Sequence, residues 1–421
     1  MKTYSMALVT SICTPGLITS QIASAELIKD SKASVEARNF YFNRDLHDTM
    51  DAQQSKREEW AQGFILKAES GYTSGAVGFG LDAYAGLGLK LDSSDERAGT
   101  NLLPSKFGDD GPGGYSETTV TLKAKISKTA VKLGGLMPRL PTVTANDSRL
   151  LPQNFLGGHV NSQEIAGLNF DVGQIRKVNQ QDSSDFQDLS LNSVGGRRNF
   201  KFGSNGNQGE DFSFGGVSYK WHSGLTTAYN YGELEKLYKQ HIINMTYVLP
   251  IASNQSLKSD LRYAYSTDDG GSNVDNRAFG AMLSYSLSGH ILGLGYQRMS
   301  GDTGYAYLNG AGAFLVNYVQ IGDFASKDEF SWQARYDFDF ASVGVPGLTF
   351  MTRYIRGTNI DQGTGLAEGK EWERNMDIVY VVQQGPLKNL MLKWRNATVR
   401  NNFANDFDEN RLILSYTVSL Y

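Results

Sequence analysis

Arg411-Leu412-Ile413-Leu414-Ser415-Tyr416-Thr417-Val418-Ser419-Leu420-Tyr421 closes the chain, and its reading decides the fold. Even positions carry Leu, Leu, Tyr, Val and Leu, and odd positions carry Arg, Ile, Ser, Thr and Ser. Successive side chains of a strand point to opposite faces, so this segment has one apolar face and one mostly polar face.

A soluble sandwich contains such strands too. Here the strand is also the chain terminus and ends on an aromatic residue, the form in which outer-membrane barrels present their last strand to the barrel-assembly machinery. Working back from it, eighteen period-two segments follow one another from 33–42 to 409–420, including 116–126 with 129–135, 164–172 with 174–179, and 328–340 with 347–357. Eighteen is even, as single-chain bacterial barrels require. Short connections at 70–75, 127–128, 221–223, 250–256, 288–289, 341–346 and 384–387, with one more near 171–173, alternate with long polar ones such as 90–115, 179–210 and 300–327. That asymmetry belongs to a transmembrane barrel with both termini on its short-turn side. No proline falls inside a proposed strand, where it would remove a ladder hydrogen bond. The fold expected is all-β: a transmembrane antiparallel barrel of about eighteen strands, as one domain over 26–421.

Residues 1–25 read as a cleaved export signal. Lys2 is the basic start, Met6 to Ile22 is uncharged, and Ala23-Ser24-Ala25 has the small-x-small form of a cleavage site. The stretch is too rich in Ser and Thr for a spanning helix. Cys13, the single cysteine, leaves with it, so neither a thiol nucleophile nor a Cys-bound metal is expected. Losing Lys2 turns a formal charge of −4, from 40 basic and 44 acidic residues, into −5, which excludes a generally basic nucleic-acid binder. Glycine is abundant at 46 residues and proline scarce at 9, which fits a soluble all-β protein and a membrane β-barrel alike. No cofactor is expected. The histidines show no metal spacing, the Gly-rich stretch 203–216 lacks Gly-Lys-Ser/Thr, and nothing in the sequence brings a Ser, a His and an acid together. The chain is therefore read as no enzyme.

Alternation also assigns charges to faces. Arg335 opposes Trp332, Tyr336 and Phe338; Arg353 opposes Phe350 and Tyr354; Lys393 and Arg395 oppose Leu392 and Trp394; Arg411 opposes the terminal leucines; Arg38 opposes Val35 and Ala37; Lys123 and Lys125 oppose Leu122. A lipid-facing Arg or Lys at the bilayer midplane costs about 2–4 kcal/mol. Several of them would cancel the ~5–15 kcal/mol by which proteins are stable. These cations therefore face the lumen. Two consequences stay open: a basic track that passes carboxylates, or cations that merely balance Asp337, Asp339 and Asp377. The apolar, proline-stiffened loop 136–163 is expected to fold inward as a constriction.

Several segments resemble the OprD-type substrate-specific porins: Arg38-Asn39-Phe40-Tyr41-Phe42-Asn43-Arg44-Asp45, Asn146-Asp147-Ser148-Arg149-Leu150-Leu151-Pro152-Gln153, Arg353-Tyr354-Ile355-Arg356-Gly357, Arg395-Asn396-Ala397-Thr398-Val399-Arg400 and Asp408-Glu409-Asn410-Arg411-Leu412-Ile413. They span nearly the whole of 26–421. The resemblance implies an arginine ladder at Arg149, Arg176, Arg395, Arg400 and Arg411, facing a constriction at Asp147 and Ser148 where Asp147 supplies the opposing charge. Strict alternation puts Arg400 on the lipid side unless a bulge or loop intervenes. The closing segment is more similar to the branch taking small cyclic or aromatic carboxylates than to the branch taking basic amino acids. Implied partners are outer-membrane lipid and lipopolysaccharide, small carboxylates and the assembly machinery, in a monomer or loose homotrimer. A general diffusion pore, an outer-membrane hydrolase and a structural barrel are the competing readings.

Overall fold

A computed structural model of the chain describes residues 27–47, 49, 53–193 and 198–421; the expected export signal lies outside them. The barrel strands are β1 (Lys32–Leu46), β2 (Lys56–Glu69), β3 (Gly78–Asp92), β4 (Gly114–Ile126), β5 (Thr129–Leu136), β6 (Asn154–Ser162), β7 (Leu168–Asn179), β8 (Phe212–His222) and β9 (Leu225–Leu234). They continue with β10 (Tyr238–Ala252), β11 (Gln255–Asp268), β12 (Asp275–Leu287), β13 (His290–Ser300), β14 (Phe330–Asp339), β15 (Leu348–Ile360), β16 (Gly369–Val381), β17 (Met391–Asn401) and β18 (Phe407–Ser419). All pair antiparallel with their neighbours. The last meets the first, with Val35 opposite Val418 and Phe42 opposite Arg411. Lipid offers no hydrogen bonds to a free edge, and closure removes the edges.

The faces are those that alternation predicts. On β18, Leu412, Leu414 and Val418 are exposed while Arg411 and Ser415 are buried. On β4, Val120 and Leu122 are exposed while Thr121 and Lys123 are buried. A Leu left wholly in water forgoes about 1.5–3 kcal/mol of burial. The pattern repeats around the circumference, so this surface is built for lipid and the polar face for the lumen.

The count of eighteen strands conceals one correction. Segments 164–172 and 174–179 are a single strand, β7, with no turn near 171–173, and β6 lies inside the stretch read as loop 136–163. Gly173 suggested a turn, but it marks a close approach: a Cβ there would sit 2.4 Å from the Phe214 ring. Strand β6, with Gly157-Gly158 and only one β-branched residue, carries almost no strand signal. The inward loop is therefore 137–153. Short turns at 127–128 and 288–289 are two-residue hairpins, with Gly289 at φ 89°.

The apolar core lies inside the barrel, where loops pack. One cluster joins Val143, Phe155, Ile175, Phe212 and Phe214 with Leu308 of loop 301–329. A second joins Phe40, Phe42, Ala61 and Tyr84 with Leu102, Leu103, Leu150 and Leu151. A third packs Tyr305, Tyr307 and Leu315 on Ile242, Ala264 and Met299. Loop 301–329, expected to be an ordinary outer loop, is thus a second inward loop, and its Gly312 N–H donates to Thr144 O of the first at 2.9 Å.

Candidate functional site: the lumen constriction

Loop 137–153 crosses the lumen against β1 and β18. Alternation turns Arg38, Phe40, Phe42 and Arg44 of β1 inward together, and Glu409 and Arg411 of β18 meet them across the closing seam. Arg38 Nη1 donates to Asp147 Oδ1 at 2.7 Å and to Arg149 O at 2.9 Å, and its Nε donates to Glu36 at 2.9 Å. Arg44 donates to Glu409 Oε2 at 2.6 and 2.9 Å. Arg411 Nε donates to Glu409 Oε1 at 2.6 Å, and its Nη1 reaches Ser148 O at 3.4 Å. Arg149 donates through Nε to Thr100 O at 3.1 Å and through Nη1 to Ser148 Oγ at 3.1 Å.

The guanidinium centres of Arg44, Arg149 and Arg411 lie 5.6, 5.7 and 5.3 Å from the centroid of one ring, Phe42. Four arginines here meet three carboxylates, Glu36, Asp147 and Glu409, which leaves an excess of one positive charge. Arg149 has no carboxylate within ion-pair distance among the described residues. Burial, followed by the neighbouring Arg411 charge, holds its guanidinium below the ordinary arginine range. A second acid within electrostatic reach, Asp182, is held above the usual carboxylate range by its own burial.

The basic row continues along the inner wall. Arg395 stands opposite Arg411 in register and donates to both Asp377 oxygens at 3.1 Å. Lys393 lies 3.7 Å from the same carboxylate. Arg335, opposite Arg353, is clamped by Asp337 at 2.6 and 2.7 Å. Among the described residues Arg353 donates only to the neutral Asn375 amide, at 2.7 Å. Inside the barrel, against the first inward loop, a cavity of about 540 Å³ is lined by Lys67, Asp82, Tyr84, Lys132, Pro138 and His159.

Three placements correct the sequence reading. Arg400 faces outward at the rim, where Asp408 holds it at 3.1 and 3.2 Å, and the β16–β17 ladder runs through it without a bulge, while the β17–β18 ladder ends just before it at Val399 opposite Phe407. Arg176 also faces outward: it is the residue left out of the β6–β7 register by a bulge between Ile175 and Lys177, and it is exposed beside Asp211 at 3.5 Å. Asp147 is ion-paired to Arg38 on the basic wall and so does not oppose that wall from across the lumen. Among the residues passed over, Arg44 shares the parity of Arg38, so its placement was legible. Glu409 was not, because a buried acid on a basic wall has no local signature.

The second loop is tied to the same wall. Glu373 accepts the N–H groups of Ile321 at 3.1 Å and Gly322 at 2.7 Å, and Gln320 donates to Glu409 at 3.1 Å. Arg198 pairs with Asp323 and donates to Tyr305 O at 2.7 Å. Hydrogen bonds to a charged acceptor are worth about 1.5–3 kcal/mol each. Glu373→Ala should therefore free the tip of loop 301–329, raising single-channel conductance and open-state current noise in a planar bilayer. Unchanged conductance and noise would show that this loop does not limit the path.

The outer-membrane porin model of the OprD family matches residues 25–420. The chain belongs to the OprD family. It is a Gram-negative outer-membrane β-barrel porin, a substrate-specific channel and not an enzyme. It is 38 % identical over 409 residues to the porin-like protein GalP of Pseudomonas putida, covering 95 % of each chain. The structure of Pseudomonas aeruginosa OpdQ is similar, with a TM-score of 0.87 and 57 % identity over 94 % of this chain and all of that one. Pseudomonas aeruginosa OpdK, solved with vanillate, gives a TM-score of 0.85 and 34 % identity over 93 % of this chain and all of that one.

Proposed function

We propose that this porin passes small carboxylate-bearing solutes, moved by their own gradient, along the guanidinium row of its inner wall, and that the export signal is removed ahead of Glu26. What supports this reading is the pattern of pairing. Most cations of the row have an acid, but Arg149 and Arg353 have none among the described residues, and Arg411 Nη2 is buried without a hydrogen-bond partner. A buried donor left unmade costs about 1–3 kcal/mol, more when charged, and an arriving carboxylate satisfies it. The paired cations between them give the solute weaker stations, which favours release as well as entry. Vanillate, the solute in the OpdK structure, is itself an aromatic carboxylate.

The competing reading, a weakly selective pore, is favoured by the close Arg335–Asp337 and Arg395–Asp377 pairs, which neutralise much of the wall. Reversal potential under a salt gradient separates the two. The carboxylate channel should prefer anions and be blocked by benzoate but not by arginine. A reversal potential near zero with no block by benzoate would leave only the general pore.

A further inference from the structure

The lipid side of the barrel carries cations as well as apolar groups. Arg298 on β13, Arg356 on β15 and Arg374 on β16 point away from the lumen, because their neighbours Gln297, Ile355 and Glu373 are buried within it. In register, Arg356 stands between Trp332 and Trp372, Arg298 stands opposite Phe330, and Arg374 stands opposite Tyr354. The Tyr354 ring bridges the two tryptophans, at 5.7 and 5.6 Å between centroids.

Elsewhere the outward cations have acids. Arg176 has Asp211, Lys177 has Asp188 at 2.5 Å, Lys239 has Asp269 at 2.5 Å, and Arg400 has Asp408. Arg298 and Arg356 have no carboxylate within ion-pair distance among the described residues. Among the described residues Arg374 donates only to the neutral Asn396 and Thr398, at 3.4 and 3.2 Å. Below the patch the outer face of β13 turns apolar, with Leu292 and Leu294 exposed. The cost of a lipid-facing arginine fades only near the bilayer interface, where aromatic belts also sit. Three arginines without acids at that level present a surface complementary to an anion that resides in the membrane.

We propose that this patch binds the phosphate groups of an outer-leaflet lipid, whose acyl chains lie on the apolar strip below. A guanidinium fork pairs phosphate oxygens two at a time, and the tryptophans flank the headgroup. Free phosphate shares the headgroup chemistry but has no chain to place on Leu292 and Leu294. The site is on the opposite face from the lumen row and does not depend on the carboxylate reading.

The test is native mass spectrometry of the full-length barrel in dodecyl maltoside, titrated with bis-phosphorylated lipid A, with dephosphorylated lipid A, and with inorganic phosphate as competitor. Juxtamembrane cations contribute roughly fivefold each to binding anionic lipid, so the R298Q/R356Q/R374Q variant should bind bis-phosphorylated lipid A on the order of a hundredfold more weakly. The R298K/R356K/R374K variant keeps the charge but loses the fork, so its affinity should fall between those of the parent and the triple glutamine variant. Single R356Q is the fallback should the triple glutamine variant not fold. Unaltered single-channel conductance reports an intact barrel. The proposal is overturned if dephosphorylated lipid A binds as well, if the triple glutamine variant binds like the parent, or if equimolar inorganic phosphate displaces the lipid.

Discussion

Arg149→Ala weakens benzoate block about ten- to hundredfold while leaving the barrel folded. The magnitude follows from the loss of one charge-assisted hydrogen-bonding group, about 1.5–3 kcal/mol. Arg149 is the natural place to look because it is the constriction arginine with no acid among the described residues, and both its burial and Arg411 work against its charge. A solute carboxylate supplies the missing counter-charge there, whereas at Arg395 it must compete with Asp377. The side chain hangs from loop 137–153, hydrogen-bonds to Thr100 O and to Ser148, and otherwise lies over the Phe42 ring, so truncation breaks no ladder hydrogen bond of the strands. Controls come from the outer face: Arg400→Ala and Arg176→Ala should change neither block nor reversal potential. Planar-bilayer recording across these variants decides the matter. If Arg149→Ala blocks like the parent, or if the outer-face variants weaken block equally, the lumen row is not the solute path.

Much of the lumen row was legible in the chain because a strand has only two faces. Once Leu412 and Leu414 are given to lipid, Arg411 has nowhere to go but inward, and the same logic places Arg335, Arg353, Lys393, Arg395 and Arg38. The logic fails where side-chain parity is not the deciding quantity. Arg176 and Arg400 were placed by likeness to a family pattern, against or beyond the alternation of Ile175 and Leu392. At Arg400 the alternation describes the structure. At Arg176 a bulge shifts the register, leaving Arg176 and Lys177 both outside while Ile175 and Val178 are buried. In both cases a rim acid supplies the partner. Asp147 shows a different limit, since a loop residue has no parity and its pairing with Arg38 crosses 109 positions of sequence. Loop 301–329 was illegible for a related reason. Its burial depends on Glu373 and on the third cluster, which assemble only when β10–β16 curve around it. Strand β6 was lost because its glycines leave room for neighbours and give propensity little to act on.

Glu409→Gln should destabilise the barrel yet sharpen its preference for carboxylates. Glu409 is fully buried and accepts from Arg44, Arg411 and Gln320. Removing one partner of a buried charge pair typically costs about 3–5 kcal/mol, because the remaining charge stays desolvated. Here two guanidiniums lose their acid, and a third, Arg149, lies against the same Phe42 ring. Glutamine keeps the shape and one acceptor oxygen, so the loss is mainly of charge. The constriction excess then rises from one positive charge to two, and an anion binds there more tightly although the fold is weaker. These opposite signs distinguish a counter-charge from a residue that merely fills space, for which stability and block would fall together. The temperature at which the compact band converts to the unfolded band on a gel reads the first effect, and benzoate block reads the second. Added benzoate should also restore part of the lost stability, because a ligand that binds only the folded state stabilises it by mass action. An unchanged conversion temperature would mean that Arg44 and Arg411 hold their charges without Glu409. A weakened block would mean that Glu409 shapes the site and does not restrain its charge. Pairing the change with Arg44→Gln should recover part of the stability, since neighbours sharing one carboxylate are not additive.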